Sequence, residues 1–199
     1  IILGQLKQSG ITDVCIVVHY LKEHIIDYFG DGKRIGMNIT YAEQKEIDGS
    51  AKAVILTRPH VTSDRFLCIA ADSLFETPLI ERLLAHDSDG VFACKEVDDG
   101  KRYGILLTEG KHVKKVIEKP DVPPTNLANF SVYVLPKEIY SACEQIPPGK
   151  NGEYWITDAI QVLIDSGKTF GYEKSEHILD IGTPQSLEEA QALSKKLGL

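Results

Sequence analysis

The sequence predicts an α/β fold with a largely parallel sheet. In residues 1–88 strand-like and helix-like segments alternate, and the apolar run of the segment 11–20 is continuous rather than alternating. Strands covered on both faces have continuous apolar runs, and strand–helix alternation is typical of parallel sheets joined by right-handed crossovers. A chain of 199 residues can bury one sizeable core, so we expect a single domain over residues 1–199.

The first half of the chain follows this alternation element by element. Ile2 and Leu6 have helical spacing and precede Gly10, which predicts the last turns of a helix that ends at this glycine. Thr77 and Pro78 predict the N-cap and the first position of a later helix. The predicted strands span 11–20, 37–44 and 65–72, and the predicted helices between and after them span 21–32, 49–58 (ending before Pro59) and 77–87.

The second half is richer in strands. Glu109, Gly110 and Lys111 predict a hairpin turn between two of them. Thr183 and Pro184 predict the start of the last helix. The predicted strands span 90–97, 103–110, 112–120 and 129–136, with two short strands within 169–182, and the predicted helices span 136–146, 155–167 and 183–198. The chain has no internal repeat and no linker.

Composition excludes several classes of protein. The net charge of −7, from 29 acidic and 22 basic residues, argues against a nucleic-acid partner or an anionic membrane surface. No apolar run approaches the roughly 20 residues of a membrane span. The four cysteines are far apart and form no CxxC pair, which is typical of buried free thiols and of a cytoplasmic protein.

Polar residues follow several predicted strands. Asp72 ends one buried strand, Asp180 lies near the end of a late strand, and Gln44 and Gly49 follow another. Ligands of open α/β sheets bind beyond the carboxyl ends of the strands, and Mg²⁺ prefers carboxylates and phosphates. The two aspartates are therefore either magnesium ligands or ordinary turn and cap residues. Lys119, before Pro120, is either a phosphate contact or a solvated side chain.

Seven segments together resemble the sugar-1-phosphate nucleotidyltransferases of the glucose-1-phosphate thymidylyl- and uridylyltransferase type. They cover nearly the whole chain and occur in the order of the family: residues 2–32, 39–54, 68–75 (CIAADSLF), 102–106 (RYGIL), 116–135 (with EKP), 152–160 (GEYWITDAI) and 178–184 (ILDIGTP). The resemblance implies a Rossmann-like, three-layer fold with a mostly parallel, mixed central sheet. It also implies transfer of a nucleotidyl group from a nucleoside triphosphate to a sugar 1-phosphate, with Mg²⁺ as cofactor.

The resemblance implies roles for individual residues. Asp72 and Asp180 match the two aspartates that hold Mg²⁺, and Lys119 matches the lysine that contacts the sugar phosphate. These three are the implied catalytic residues. The implied substrate-binding residues are Glu118, Asn129 and Gly104 for the sugar, Glu153, Trp155 and Thr157 for the lining of its pocket, and Gln44 and Gly49 for the base. Trp155 has core packing as its alternative role, and Thr157 has helix capping.

Three departures from the family stand out. The opening strand and the Gly-rich loop that binds the triphosphate are absent, so we expect an N-terminally incomplete domain that does not turn over efficiently as it stands. We also expect residues 66–72 to lack a strand partner on one side, leaving an open gap in the sheet, unless another segment or molecule fills that gap. Ala71 and Ser131 occupy positions where the family has glycine.

Other functions and partners remain open at this stage. The main alternative is a non-catalytic regulatory or interaction subunit, although a decayed site would be expected to lose at least one of Asp72, Lys119, Asn129 and Asp180. Gln44 and Gly49 favour dTTP or UTP as the nucleotide, with guanylyl transfer left open. Nucleic acid and membrane are not expected as partners, and a homo-oligomer is one of the assemblies left open.

Overall fold

A computed structural model describes residues 1–149 and 152–199. Its helices are α1 (Ile2–Gln8), α2 (Lys22–Phe29), α3 (Ser50–Leu56), α4 (Pro78–Leu84), α5 (Ile139–Gln145), α6 (Ile156–Asp165) and α7 (Pro184–Leu197). Its strands are β1 (Asp13–Val18), β2 (Asn38–Glu43), β3 (Arg65–Ile69), β4 (Ser73–Phe75), β5 (Gly90–Glu96), β6 (Gly104–Glu109), β7 (His112–Glu118), β8 (Leu127–Pro136), β9 (Phe170–Lys174) and β10 (Ile178–Asp180). Short 3₁₀ helices span Lys33–Ile35 and Gly100–Arg102.

The centre of the molecule is a mixed sheet with the strand order β3-β8-β5-β9-β7-β6. The strands β5 and β9 run parallel, and the other neighbours in this sheet run antiparallel. Two smaller sheets complete the described part: β1 and β2 pair in parallel, and β4 and β10 pair antiparallel. The predicted α/β class and mixed sheet are confirmed. Antiparallel pairs outnumber parallel ones among the described strands, partly because a tight hairpin turn joins β6 to β7.

Helices cover both faces of the central sheet. Along β8, Tyr133 and Leu135 contribute to one buried cluster, and Val132 and Val134 contribute to the other. This alternation follows from the two-residue period of a strand. The first cluster packs under α3, α5 and α6, and the second packs under α1 and α4. The three layers implied by the resemblance are therefore present, with a core on each side of the sheet.

One edge of the central sheet is open. Strand β3 pairs with β8, and no other described strand pairs with it. The strands β1 and β2 form a sheet of their own, so they do not fill this position. The expectation that residues 66–72 lack a strand partner on one side holds for the described residues. All residues of β3 are partly exposed rather than fully buried, as this open edge requires.

Two predicted helix starts, those of α7 and α4, differ in how they are capped. Thr183 caps α7 in a reciprocal arrangement, because its hydroxyl accepts from the Ser186 amide at 3.1 Å and the Ser186 hydroxyl accepts from the Thr183 amide at 2.9 Å. Thr77 precedes α4 as predicted but makes no capping bond. Its hydroxyl accepts instead from the buried Gln5 amide at 3.3 Å. Strand β4 was not predicted, because three residues are too few to show a period.

The four cysteines are free thiols, as the sequence predicted. Cys94 and Cys143 are buried, and burial raises the pKa of each thiol to about 12. Such thiols stay protonated and act as small apolar side chains. Among the described residues, no helix combines the length and the apolar character that crossing a bilayer requires.

Candidate active site

A cavity of about 340 Å³ opens beside β3, β7, β8 and β10 and the start of α6. It collects residues from seven separate segments of the chain, which is the convergence expected of a binding site at strand ends. Nine of the eleven predicted site residues line it: Asp72, Gly104, Glu118, Lys119, Asn129, Glu153, Trp155, Thr157 and Asp180. The other two, Gln44 and Gly49, are not part of its wall.

The two predicted metal ligands lie side by side. Strand β10 pairs with β4 so that Asp180 is opposite Ser73, and the Ile181 amide donates to the Asp72 carbonyl at 2.9 Å. Burial raises the pKa of Asp180, and the charge of Asp72 and a hydrogen bond between the two side chains raise it further. Asp72 and Asp180 therefore face one cleft, as predicted, despite their separation in sequence.

This pair fits a divalent cation. Two adjacent carboxylates repel each other when both are ionised, and a bound cation removes that repulsion. The described residues contain no group of three or more His, Cys, Asp or Glu side chains placed to hold a metal. Mg²⁺ does not need one, because it commonly takes one or two carboxylates and completes its shell with water and substrate phosphates.

Glu118 ends β7 and is held in place by two neighbours. The Thr157 hydroxyl donates to Glu118 Oε2 at 2.9 Å, and a Cβ at Gly104 would lie 2.9 Å from the same oxygen. Glycine at 104 therefore leaves room for the carboxylate. Burial raises the pKa of Glu118, while the Thr157 hydrogen bond and the Lys119 charge act in the opposite direction. The second carboxylate oxygen, Oε1, has no hydrogen-bond partner among the described residues and can accept a hydrogen bond from a ligand.

Lys119 adopts a left-handed backbone conformation, with φ of 42°. Its amide donates to the Tyr103 carbonyl at 3.0 Å. Its Nζ lies 4.0 Å from Glu118 Oε1 and 5.5 Å from the centre of the Trp155 ring. Left-handed conformations are costly for non-glycine residues and persist where the surroundings enforce them, commonly at functional sites. The fold thus directs the ammonium group along the cavity wall.

Trp155 lines the cavity rather than packing only in the core. Its indole Nε1 donates to Glu153 Oε2 at 2.9 Å, which fixes the ring and the carboxylate relative to each other. Trp155 also precedes α6 as its N-cap residue. Thr157 lies inside α6 and is buried, so the alternative role of helix cap does not hold for it. Its hydroxyl is committed to Glu118.

The Asn129 side chain is buried and oriented by residues on its own strand. Its Nδ2 donates to the Tyr133 hydroxyl at 2.7 Å, and its Oδ1 accepts from the Ser131 amide at 3.1 Å. Ser131 has φ of 54°, which is the left-handed region that favours glycine. The resemblance implies glycine at this position, and the backbone explains why. No motif in the sequence pointed to Tyr133, although a spacing of two along a strand places 129, 131 and 133 on one face.

Gln44 and Gly49 make internal contacts beside the cavity. Gln44 Nε2 donates to Asp48 Oδ1 at 2.9 Å and to the Gly49 carbonyl at 3.1 Å. A Cβ at Gly49 would lie 2.3 Å from the Tyr154 carbonyl oxygen. Ser50 follows directly and lines the cavity, and its hydroxyl accepts from the Ile156 amide at 3.0 Å. These bonds join the two loops, and contact of Gln44 and Gly49 with a base stays a prediction.

Comparison with known proteins agrees with this geometry. The family model described as "Nucleotidyl transferase" matches residues 1–196. A UTP–glucose-1-phosphate uridylyltransferase of Haloferax volcanii is 36% identical over 194 residues, which cover 94% of this chain and 79% of that protein. A Bacillus anthracis protein described as a glucose-1-phosphate thymidylyltransferase, solved with sucrose, has a TM-score of 0.84 at 27% identity over 96% of this chain and 79% of its own.

The chain spans about half the length of other relatives. It covers 54% of a low-salt glycan biosynthesis nucleotidyltransferase of Haloferax volcanii, at 34% identity. It covers 48% of a glucose-1-phosphate thymidylyltransferase of Streptomyces griseus, at 32% identity. The match of the family model over nearly all residues, together with the site described above, identifies the family. The chain belongs to the nucleotidyl transferase family.

Proposed function

We propose that this cavity joins a nucleoside triphosphate to a sugar 1-phosphate and releases pyrophosphate. A phosphate oxygen of the sugar 1-phosphate attacks the α-phosphorus, and the bond from that phosphorus to the bridging oxygen of the β-phosphate breaks. The products are a nucleotide-sugar and pyrophosphate, and no protein nucleophile is needed. The observation that carries the proposal is the meeting of Asp72, Asp180 and Lys119 in one cavity.

Asp72 and Asp180 would hold Mg²⁺. The bound ion would neutralise part of the negative charge on the phosphates of both reactants. The residues of the chain supply the remainder, which is positioning and further charge neutralisation. Lys119 places a compact positive charge where the sugar phosphate has to lie.

The sugar would bind among Glu118, Asn129, Glu153, Trp155 and Gly104. Carboxylates accept hydrogen bonds from sugar hydroxyls, and a glycine allows the ring to approach the backbone. Thr157 acts through Glu118, because its hydroxyl is bonded to that carboxylate. Gln44 and Gly49 belong to the loop that we assign to the base, with dTTP or UTP favoured. We place the activity in the cytoplasm, where free thiols are stable.

The test is a pyrophosphate-release screen of the complete gene product. It pairs each common nucleoside triphosphate with glucose 1-phosphate and with related sugar 1-phosphates. We expect release with dTTP or UTP that requires both substrates and stops when EDTA removes Mg²⁺. No release with any pair, or release that persists in EDTA, would contradict the proposal.

A further inference from the structure

The cavity carries an imbalance of charge that the residues assigned so far do not correct. Its wall holds four carboxylates, those of Asp72, Glu118, Glu153 and Asp180. Lys119 lies at the end of the cavity formed by Glu118 and Trp155. Both reactants are anionic, so the end that holds Asp72 and Asp180 requires positive charge as well. Arg102 is a further cation of the cavity wall.

The backbone that carries Arg102 is held firmly. Arg102 is the last residue of the 3₁₀ helix Gly100–Arg102, and Asp99 caps this helix through the Lys101 amide at 3.1 Å. A Cβ at Gly100 would lie 2.7 Å from Ile105 Cδ1, so this turn packs closely on the sheet. The guanidinium therefore projects from a defined position.

The next residue connects Arg102 to the rest of the site. The Tyr103 ring packs on Phe130 with centroids 5.1 Å apart. The Tyr103 carbonyl accepts from the Lys119 amide at 3.0 Å. One backbone hydrogen bond thus links the segments that carry the two cations of the cavity wall. The fold presents Arg102 and Lys119 as neighbouring elements of the same surface.

The guanidinium of Arg102 is available to a ligand. No hydrogen bond or ion pair within residues 1–149 and 152–199 engages it. Other arginines of the chain are paired, such as Arg58 with Glu144 and Arg82 with Glu76, each at 2.8 Å. Arg102 is close enough to Asp180 for its charge to favour the ionised carboxylate. Arg102 lines the same cavity as Asp72 and Asp180, where phosphates and Mg²⁺ would meet.

We propose that Arg102 binds a phosphate group of the reactants during nucleotidyl transfer, as a second cation of the cavity wall beside Lys119. This inference rests on the proposed function. Guanidinium suits the role, because its planar donors match two phosphate oxygens and it stays charged at all working pH values. Arg102 and the Asp72–Asp180 pair would then both act on the phosphates. The sugar hydroxyls would bind elsewhere in the cavity.

The test compares three variants of the complete gene product, Arg102→Gln, Arg102→Lys and Lys101→Gln. Lys101 precedes Arg102 in the same 3₁₀ helix, is exposed and does not line the cavity, so it is the matched control. Pyrophosphate release gives kcat and the KM of each substrate, and calorimetry gives binding of the sugar 1-phosphate and of the nucleoside triphosphate alone. We expect Arg102→Gln to lower kcat/KM about 10²-fold, the scale of losing one preorganised donor. Arg102→Lys should lose less, and Lys101→Gln should match the wild type.

The separate measurements for the two substrates identify whose phosphate Arg102 contacts. A weakened affinity and raised KM confined to the sugar 1-phosphate place Arg102 on that substrate, and the same change confined to the nucleotide places it on the triphosphate. Equal behaviour of Arg102→Gln and Lys101→Gln in an active enzyme would overturn the inference. Failure of the proposed function looks different, because the wild type itself would then release no pyrophosphate.

Discussion

Two residues of the cavity adopt backbone conformations that their side chains disfavour. Lys119 and Ser131 both have positive φ, at 42° and 54°. The EKP and Asn motifs indicated both places from sequence, but the sign of φ depends on bonds from distant segments. The Tyr103 carbonyl holds Lys119, and the Ala70 amide donates to the Ser131 carbonyl at 2.9 Å. Both strained residues thus serve to aim neighbouring polar groups into the cavity.

Replacement of Ser131 tests this strain. Ser131→Val places a β-branched side chain in the left-handed region, so we expect the free energy of unfolding to fall by about 1–3 kcal/mol. Ser131→Gly is the matched variant and should stay within about 1 kcal/mol of the wild type, because glycine adopts this conformation without a steric cost. Urea denaturation measures both. Equal stability of the valine and glycine variants would show that the position is unstrained.

The Glu118 carboxyl leads to a prediction about pH. Its pKa is raised in the fold, mainly by burial. Ionisation of Glu118 therefore lowers the free energy of unfolding relative to the protonated form. The contribution of protonated Glu118 to the stability of the fold is complete below the pKa of the unfolded state. It is lost as the pH rises through the pKa of the folded state. Glu118→Gln removes this loss and keeps an acceptor for Thr157. We expect the stability of the variant relative to the wild type to increase from about pH 4 to about pH 7, measured by urea denaturation. A difference that does not change with pH would contradict this.

At the scale of elements, two short segments build the metal end of the cavity. The antiparallel pair of β4 and β10 brings Asp72 and Asp180 together, although each strand has only three residues. The sequence indicated both aspartates through strand ends and through resemblance. It did not indicate β4, because so short a strand shows no period. Pairing between segments over 100 residues apart is a property of the tertiary fold.

Replacing one aspartate of the Asp72–Asp180 pair should have opposite effects on stability and on metal binding. Asp180→Asn removes the repulsion from Asp72, so we expect its melting temperature in EDTA to exceed that of the wild type. Added Mg²⁺ should raise the melting temperature of the wild type, because a ligand that binds only the folded state stabilises it. In Asp180→Asn this rise should be lost or much smaller. Differential scanning calorimetry with and without Mg²⁺ measures both, and an equal rise in the two proteins would place the metal elsewhere.

The loop before α3 packs against the loop before α6. Gly49 has φ of 117°, and a Cβ there would meet the Tyr154 backbone. We expect Gly49→Ala to lower the free energy of unfolding by about 2 kcal/mol or more, because both strain and a backbone clash follow. Gly4→Ala, in α1 with open space around it, should raise it by up to about 1 kcal/mol. Thermal denaturation compares the two, and similar effects would contradict the close packing at Gly49.

For the molecule as a whole, the sequence predicted the layers better than the strand directions. Apolar runs and helical spacing gave the helices and most strands, because burial on two faces leaves a local signal. The antiparallel course of β8 between β3 and β5 leaves no such signal, since direction depends on the path of the whole chain. The same limit explains the site: motifs indicated Asp72 and Lys119, whereas Tyr133 and Arg102 became visible only once the cavity was formed.

The whole-molecule charge illustrates the difference between global and local fields. The net charge of −7 predicts no anionic macromolecular partner, whereas the cavity wall places Lys119 and Arg102 where they can contact an anionic small molecule. The central claim is that this cavity performs nucleotidyl transfer with Lys119 on the sugar phosphate. In this claim, the role of Lys119 rests on both the EKP motif and the position of its side chain on the cavity wall.

The most direct measurement is therefore the rate of pyrophosphate release by Lys119→Ala in the complete gene product. Lys115→Ala is the control, since Lys115 is exposed on β7, the strand that directly precedes Lys119, and does not line the cavity. We expect Lys119→Ala to lower kcat/KM about 10²-fold or more, with unchanged stability, because it removes one electrostatic contact to a phosphate. Lys115→Ala should match the wild type. An unchanged rate for Lys119→Ala would contradict the account, because Lys119 would then be a surface residue and the chemistry would lie elsewhere.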